Sequence, residues 1–256
     1  MASSPSVGDA ERAASPALQI LGVRIDDVDM DDMLAALARF VDEGGPHQIS
    51  TVNTEFLIAA RRDPEFAAVL SRTSLNVPDS AGVLWAARWL GHPLRERVTG
   101  SDGIYRVAQL CAARGFRLYL LGAAPGVVEK VAQALVARYP GLSVCGAESG
   151  SYAPAFEDEI AARICAARAD VLLVAYPSVP QEKWIARNMV RTGAAVGMGV
   201  GAAFDFVAGV QRRAPTWMQR LGLEWLYRLL GEPGRWRRML ALPHAAWLVF
   251  LQGLRR

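Results

Sequence analysis

FRLYLLGAAPGVVEKVAQALVARYP, residues 116–140, holds one complete structural unit. The run Leu118–Leu121 is apolar without alternation, as in a strand covered on both faces. Gly122 to Gly126 then breaks the pattern, and from Val127 apolar positions recur at helical spacing. The same order of strand, turn and helix extends in both directions. HQISTVN (47–53) precedes the helical TEFLIAARRDPEFAAVLS (54–71), and SLNV (74–77) precedes SAGVLWAARWLG (80–91). After the unit come LSVCGAESG (142–150) with AFEDEIAARICAARA (155–169), VLLVAY (171–176) with PQEKWIARNMVRTG (180–193), and a last strand, AAVGMGVG (194–201). Strands alternating with helices in this way imply βαβ crossovers. The expected fold is α/β, a mostly parallel Rossmann-like sheet with helices on both faces.

In such a sheet, ligands bind beyond the carboxyl ends of the strands, so the residues ending each strand are the candidate site. They are Thr51 and Asn53, Asp79, Gly122, Gly150, Gln181, and the glycines 197, 199 and 201 leading to Asp205. Gly122 opens a turn that could direct free amides and a helix dipole at an anion. It lacks the Gly-Lys-Ser/Thr of a Walker loop and the GxGxxG of a dinucleotide fingerprint. GMGVG (197–201) reads either as a similar turn or as a strand built for close packing. Asp79 reads either as the N-cap of the helix behind it or as a general base whose pKa burial has raised.

Charge divides the chain. From Arg212 onward there are nine arginines against Glu224 and Glu232, about +7, which leaves about −4 on the rest of a chain with a net charge of +3. The arginines are interleaved with Trp217, Trp225, Trp236 and Trp247, and no apolar run approaches the ~20 residues needed to cross a bilayer. The stretch AAWLVFL (245–251) is far too short. Three regions follow: a polar tail over 1–16, expected to be disordered and without the features of a secretory signal; a core over 17–211; and a basic, Trp-rich helical appendage over 212–256. The appendage is expected to face an anionic membrane surface, with its indoles either at headgroup level or, for Trp225 in LEWLYRLL, in a helical core. Cys111, Cys145 and Cys165 are scattered and odd in number, as in a reducing cytoplasm. His47, His92 and His244 share no ligand spacing and no Asp-x-Asp pair occurs, so no catalytic metal is expected. A nucleic-acid-binding module would carry a basic face on the body, whereas the body is acidic and Lys130 and Lys183 are its lysines.

The strings TVNTEF, NVPDSAGVLWAARWLG, RVTGSD, PQEKWIARN and GVGAAFDFVAGVQRRAPTWMQRLGLEWLYRLLGEPGRWRR, in this order around the opening unit, closely resemble the WecG/TagA/CpsF family of bacterial glycosyltransferases over about residues 20–240. The resemblance implies an inverting, metal-independent transfer without cofactor. A sugar (N-acetylmannosamine, glucose or a relative) would pass from a UDP-sugar to a polyprenyl-diphosphate-linked saccharide in envelope polysaccharide synthesis. The enzyme would lie peripherally on the inner face of the cytoplasmic membrane. By the same resemblance Asp79 is the general base, with Thr51 beside it in catalysis. Asn53, Gln181, Arg97, Gly122, Gly150, Tyr152 and Asp205 bind substrate, and Arg228, Arg235 and Arg238 close over the site and hold diphosphate. A homo-oligomer is left open, as are two alternatives: another nucleotide-dependent α/β enzyme and a catalytically silent membrane scaffold. The chain departs from the family pattern at Ser80, at Ser151-Tyr152, and at Pro180, which stands where the family has a lysine.

Overall fold

The computed structural model describes residues 18–231, 234 and 236–254, with the side chains of Arg220, Arg237 and Arg238 outside that description. The expected tail over 1–16 and Arg235 therefore lie outside the described residues. An antiparallel hairpin, β1 (Leu18–Ile20) and β2 (Val23–Ile25), precedes α1 (Met30–Glu43). Then follow β3 (His47–Val52), α2 (Thr54–Arg62), α3 (Pro64–Arg72), β4 (Leu75–Pro78), α4 (Ala81–Trp89), α5 (Gly100–Arg114), β5 (Arg117–Gly122), α6 (Val127–Arg138) and β6 (Ser143–Glu148). The body continues through α7 (Glu157–Ala167), β7 (Val171–Ala175), α8 (Ser178–Thr192), β8 (Val196–Gly199) and α9 (Ala203–Val207).

Six strands pair in the order β4-β3-β8-β7-β5-β6, every pair parallel. The unalternating strands explain why: all five residues of β7 are buried, as a strand with helices on both faces requires. On one face α1, α5 and α6 supply Met33, Leu37, Ile104, Val107 and Val131 to the largest apolar cluster. The other face carries Ile160, Ile164, Trp184 and Ile185 from α7 and α8, and the hairpin packs with α2, α3 and α4 in a third cluster. Several helices begin on local side-chain caps. Asn53, Asp63, Ser80 and Thr99 each accept from a backbone amide three residues on, so α2, α3, α4 and α5 start where the strand or loop before them ends.

Because the strands are parallel, their carboxyl ends share one edge. The chain leaves β3 toward β4 and later returns to lay β8 on β3's other side, and the crevice above this reversal is where such sheets take ligands.

The appendage is helical and rests on the body. It comprises α10 (Thr216–Arg220), α11 (Glu224–Gly231), α12 (Trp236–Met239) and α13 (Ala241–Leu254). Helix α13 packs on α2 and α4, burying Ala245 and Val249, and its Gln252 side chain accepts from the Leu21 amide at 2.9 Å and donates to the Gln19 carbonyl at 3.0 Å. No described helix is long and apolar enough to cross a membrane.

Gly122 ends β5 with φ 113°, and a Cβ there would stand 2.6 Å from the Ala175 carbonyl oxygen at the end of β7. Gly122→Ala combines a backbone conformation that L-residues rarely adopt with a main-chain collision. It is expected to destabilise the fold by about 2 kcal/mol or more. Urea unfolding with an unchanged midpoint would show that the two strand ends can separate freely.

Candidate active site

Two adjoining cavities, of about 180 and 330 Å³, open above the carboxyl ends of the strands and share Asn53, Glu55, Asp79, Ser101 and Arg228 in their walls. Arg97 and Arg213 line the first; Thr51, Gln181 and Asp205 line the second. Seven of the residues read from the sequence (Thr51, Asn53, Asp79, Arg97, Gln181, Asp205 and Arg228) thus meet around one cleft.

Asp79 sits where the two cavities join. Its backbone amide donates to Val52 at 2.9 Å, continuing the β3–β4 ladder, and the Gly100 amide approaches one carboxylate oxygen at 3.3 Å. The helix-cap reading of Asp79 fails, because Ser80 caps α4. The residue keeps some exposure to the cavity, yet protein surrounds its carboxyl. Burial pushes the carboxyl up to about 7 against the downward pull of Arg97 and Arg228, and Glu224 adds to the rise. A group poised there can take a proton near neutral pH.

The polar residues around it are held in different ways. Thr51 is buried and its hydroxyl donates to the Gly199 carbonyl at 3.1 Å, joining β3 to β8 under the cleft. Asn53 caps α2 through a 3.1 Å bond from the Phe56 amide, so one polar side chain both starts a helix and faces the cavity. Gln181 is 2% exposed; its carbonyl accepts from the Gly201 amide at 2.9 Å and its amide donates to Glu182 at 2.9 Å. Glu182 is fully buried and receives a second bond, 2.7 Å from Gln48 on β3. Burial lifts Glu182 to about 7, partly offset by those two bonds. Gly199 on β8 makes room for this pair. A Cβ at Gly199 would collide with the Gln181 amide and the Glu182 carboxyl, and one at Gly197 with Met189 and Ile185, so Gly197 to Gly199 is a strand built for close packing, while Val200 and Gly201 lie beyond it in the wall of the second cavity.

The appendage closes the rim. Glu224, at the start of α11, accepts from Arg97 of the body at 2.6 Å and from Arg213 at 3.3 Å. Arg213 also forks onto Asp102 of α5, one arm at 2.8 Å. Arg228, one turn after Glu224, lies with its guanidinium 4.9 Å from the centre of the Phe206 ring and reaches both cavities. Trp225 is 40% exposed and lines the first cavity, so it is not a core residue.

Gly122, Gly150 and Tyr152 stand outside the cavity walls. Gly122 permits the approach to Ala175, and its neighbour Ala123 lines the second cavity. Gly150 adopts φ 54° against Tyr176, and Tyr152 packs edge-on to the same ring at 5.6 Å between centroids. Tyr176 itself lines the cavity. Sequence reasoning did not single out Glu182, Arg213, Asp102 or Glu224 as site residues. Glu224 carried a signal, being one of two acids among nine arginines. Among the described residues no three His, Cys, Asp or Glu side chains gather in a way that could hold a metal ion.

A carboxyl at about 7 in the fold and 3.8 when free makes the native state retain a proton that the unfolded chain releases, so stability falls as pH rises between those values. Asp79→Asn removes this loss. Its melting temperature is expected to exceed that of the wild type by several degrees at pH 8, the gap closing toward pH 4. Parallel pH dependences in the two proteins would mean that the carboxyl is ionised at no cost.

The model of the glycosyl transferase WecG/TagA/CpsF family matches residues 18–256. Among curated proteins, the N-acetylglucosaminyldiphosphoundecaprenol N-acetyl-β-D-mannosaminyltransferase of Bacillus subtilis (strain 168) is 34% identical over 212 residues, 82% of this chain and 81% of the relative. The protein of the same name from Bacillus spizizenii is 32% identical, covering 80% of this chain and 79% of the relative. That from Staphylococcus aureus (strain MW2) is 29% identical, covering 91% and 92%. With a family match over nearly the whole chain, this protein belongs to the WecG/TagA/CpsF family of glycosyltransferases.

Proposed function

We propose that the chain transfers N-acetylmannosamine, or a closely related sugar, from a UDP-sugar to the saccharide of a polyprenyl-diphosphate-linked acceptor in envelope polysaccharide synthesis. The acceptor class follows the names of the relatives, and the donor class follows the family resemblance. The observation that carries the reading is Asp79, a walled-in carboxyl at the junction of two cavities with Arg97 and Arg228 facing it.

The acceptor hydroxyl attacks the anomeric carbon from the face opposite the departing nucleotide and gives its proton to Asp79. The bond from carbon to phosphate oxygen breaks, and its electron pair leaves on UDP, with inversion at the sugar. The charge that develops on the diphosphate needs fixed cations. Arg228 and Arg97 supply them, with Arg235 and Arg238 assigned the same task by their place in the family pattern. No metal is required for that step. Thr51, Asn53, Gln181 and Asp205 orient the sugar from the strand ends. The exposed tryptophans and the charge split between body and tail support a peripheral position on the inner face of the cytoplasmic membrane, against anionic lipid.

The test is a panel of UDP-sugars offered with polyprenyl-diphosphate saccharides and read as new lipid-linked product by mass spectrometry. Product is expected in saturating EDTA. A strict Mg²⁺ or Mn²⁺ requirement, restored by titration, would overturn the arginine-based mechanism, and silence with every donor would leave a scaffold. Asp79→Asn is expected to lower turnover by on the order of 10²-fold or more with donor binding retained.

With Asp79 as the base, kcat/KM is expected to fall as pH drops through about 7. Glu182 titrates in the same range, so Glu182→Gln separates the two. If the acid limb persists in that variant it belongs to Asp79. If it disappears, the limb reports Glu182 instead.

A further inference from the structure

A third cavity, about 310 Å³, lies beside the cleft between α4 and α13. Leu57, Trp85, Ala86, Trp225, Leu242 and Ala246 supply its walls, and no charged residue among those described lines it. It is continuous with the catalytic cleft, for Thr54, Gly82, Gly222, Trp225 and Leu242 line both. The saddle between them is low because its glycines have no alternative. A Cβ at Gly82 would collide with the Thr54 hydroxyl, and one at Gly222 would stand 2.7 Å from the Ala81 Cβ.

Helix α4 carries both environments. Ser80 to Gly82 border the cleft beside Asp79, and Trp85 and Ala86, about one turn further on, border the apolar cavity. On the facing helix, Leu242, Ala245, Ala246 and Val249 fall at helical spacing on one side, and the two alanines keep that wall low. At the far side the cavity meets exposed aromatic surface. Trp85 is 47% exposed and stacks on Trp89 at 6.3 Å, which stacks on Phe250 at 5.3 Å, which meets Trp247, itself 59% exposed, at 5.9 Å.

We propose that this groove holds the isoprenoid units next to the diphosphate of the lipid-linked acceptor, leading the chain from the arginine-lined cleft across the saddle to the aromatic ladder. The proposal rests on the acceptor class given above. The occupant follows from the sequence of environments: a carboxyl base, then guanidinium groups, then an uncharged concave wall, then exposed aromatic rings. A nucleotide donor has a compact planar base but no hydrocarbon chain to extend along it, and a flat bilayer surface does not fill a concave trench. An amphiphile with a sugar, a diphosphate and a long hydrocarbon chain, in that order, matches each environment in turn. The groove therefore acts as a gauge of acceptor chain, separating polyprenyl-linked from short-chain diphosphate saccharides.

Two variants alter the groove without touching the arginines: Ala246→Trp fills the trench and Trp85→Ala removes a wall. The readout is the ratio of kcat/KM for a long polyprenyl-diphosphate saccharide to that for the same saccharide diphosphate on a short alkyl chain, both in detergent micelles. Each variant is expected to lower this ratio roughly tenfold, since every methylene withdrawn from an apolar wall weakens binding about fourfold. A parallel experiment needs no turnover. A diazirine-bearing polyprenyl diphosphate is expected to cross-link wild-type protein within residues 81–89 and 241–254, and to lose that labelling in Ala246→Trp.

An unchanged ratio in both variants, with urea midpoints showing them folded, overturns the proposal, as does labelling confined to other segments. Loss of binding to anionic vesicles free of polyprenyl lipid, with labelling intact, would make the groove a bilayer contact and also overturn it. A drop in oligomeric mass of Ala246→Trp by light scattering with the ratio intact would assign the groove to a second copy of the chain. If wild-type protein transfers sugar to neither acceptor yet labels in the groove, the catalytic reading fails and the groove stands.

Discussion

A carboxylate taken out of water must either give up its charge or be surrounded by compensating groups, and Asp79 is held between those outcomes. Burial at the end of β4 favours the neutral form, while Arg97 and Arg228 favour the ionised one. The rest of the cleft follows from keeping this balance. Thr51 and Gly199 join β3 to β8 beneath it, Gly100 offers an amide to it, and the cations that oppose burial are the ones to which the proposed reaction assigns the diphosphate. A phosphate arriving between those arginines would weaken their hold on the carboxylate and raise its affinity for a proton. In the proposed reaction, donor binding and base strength are thereby coupled through the same two side chains.

Glu224 makes the coupling conditional on the appendage. It is an acid in a strongly basic segment, and it joins Arg97 of the body to Arg213 of the connection before α10. Partly exposed ion pairs contribute little alone, but this one belongs to a network in which Arg213 also forks onto Asp102. The network therefore sets geometry more than stability. It fixes α11 so that Trp225 and Arg228 face the cleft, and it leaves Arg97 neutralised on one side until a stronger anion competes. Glu182 has a comparable role on the opposite wall. Among the described residues it lines neither cavity of the cleft, yet with Gln48 it holds the Gln181 side chain on the floor of the cleft.

How far the sequence foretold this follows from range. VLLVAY and FRLYLLG read as buried parallel strands because a run without alternation suits a strand with helices on both faces. Five of the expected residues in the cleft, Thr51, Asn53, Asp79, Gln181 and Asp205, were legible at or after strand ends, since parallel topology brings such ends to one edge, whereas Arg97 and Arg228 came only from the family resemblance. Gly122 and Gly150 looked like ligand contacts, whereas their conformations serve chain packing against Ala175 and Tyr176. Glu224 and Glu182 gave only weak signals because their partners are distant in sequence: Arg97 is 127 residues from Glu224, and Gln48 is 134 from Glu182. The groove was invisible for the same reason. Its walls come from four separate segments, each unremarkable when read alone.

Helix α13 shows why composition could not decide the fate of the last apolar stretch. Fourteen residues at about 1.5 Å each give roughly 21 Å, short of the ~30 Å hydrocarbon layer of a bilayer. A helix so apolar must nevertheless cover its surface, and here one side does so on α2 and α4 through Ala245 and Val249. Gln252 then ties its far end to the backbone of the β1–β2 hairpin, so the last described helix is anchored on the first described strands. What remains uncovered, Trp247 with Leu254 and the groove beside Ala246, is apolar surface on a helix fixed at one side and one end. A wall held in this way keeps its shape when empty. That rigidity allows a trench walled by Trp85, Trp225 and Leu242, with alanines and glycines between them, to stay open beside the Asp79 carboxyl instead of collapsing onto it.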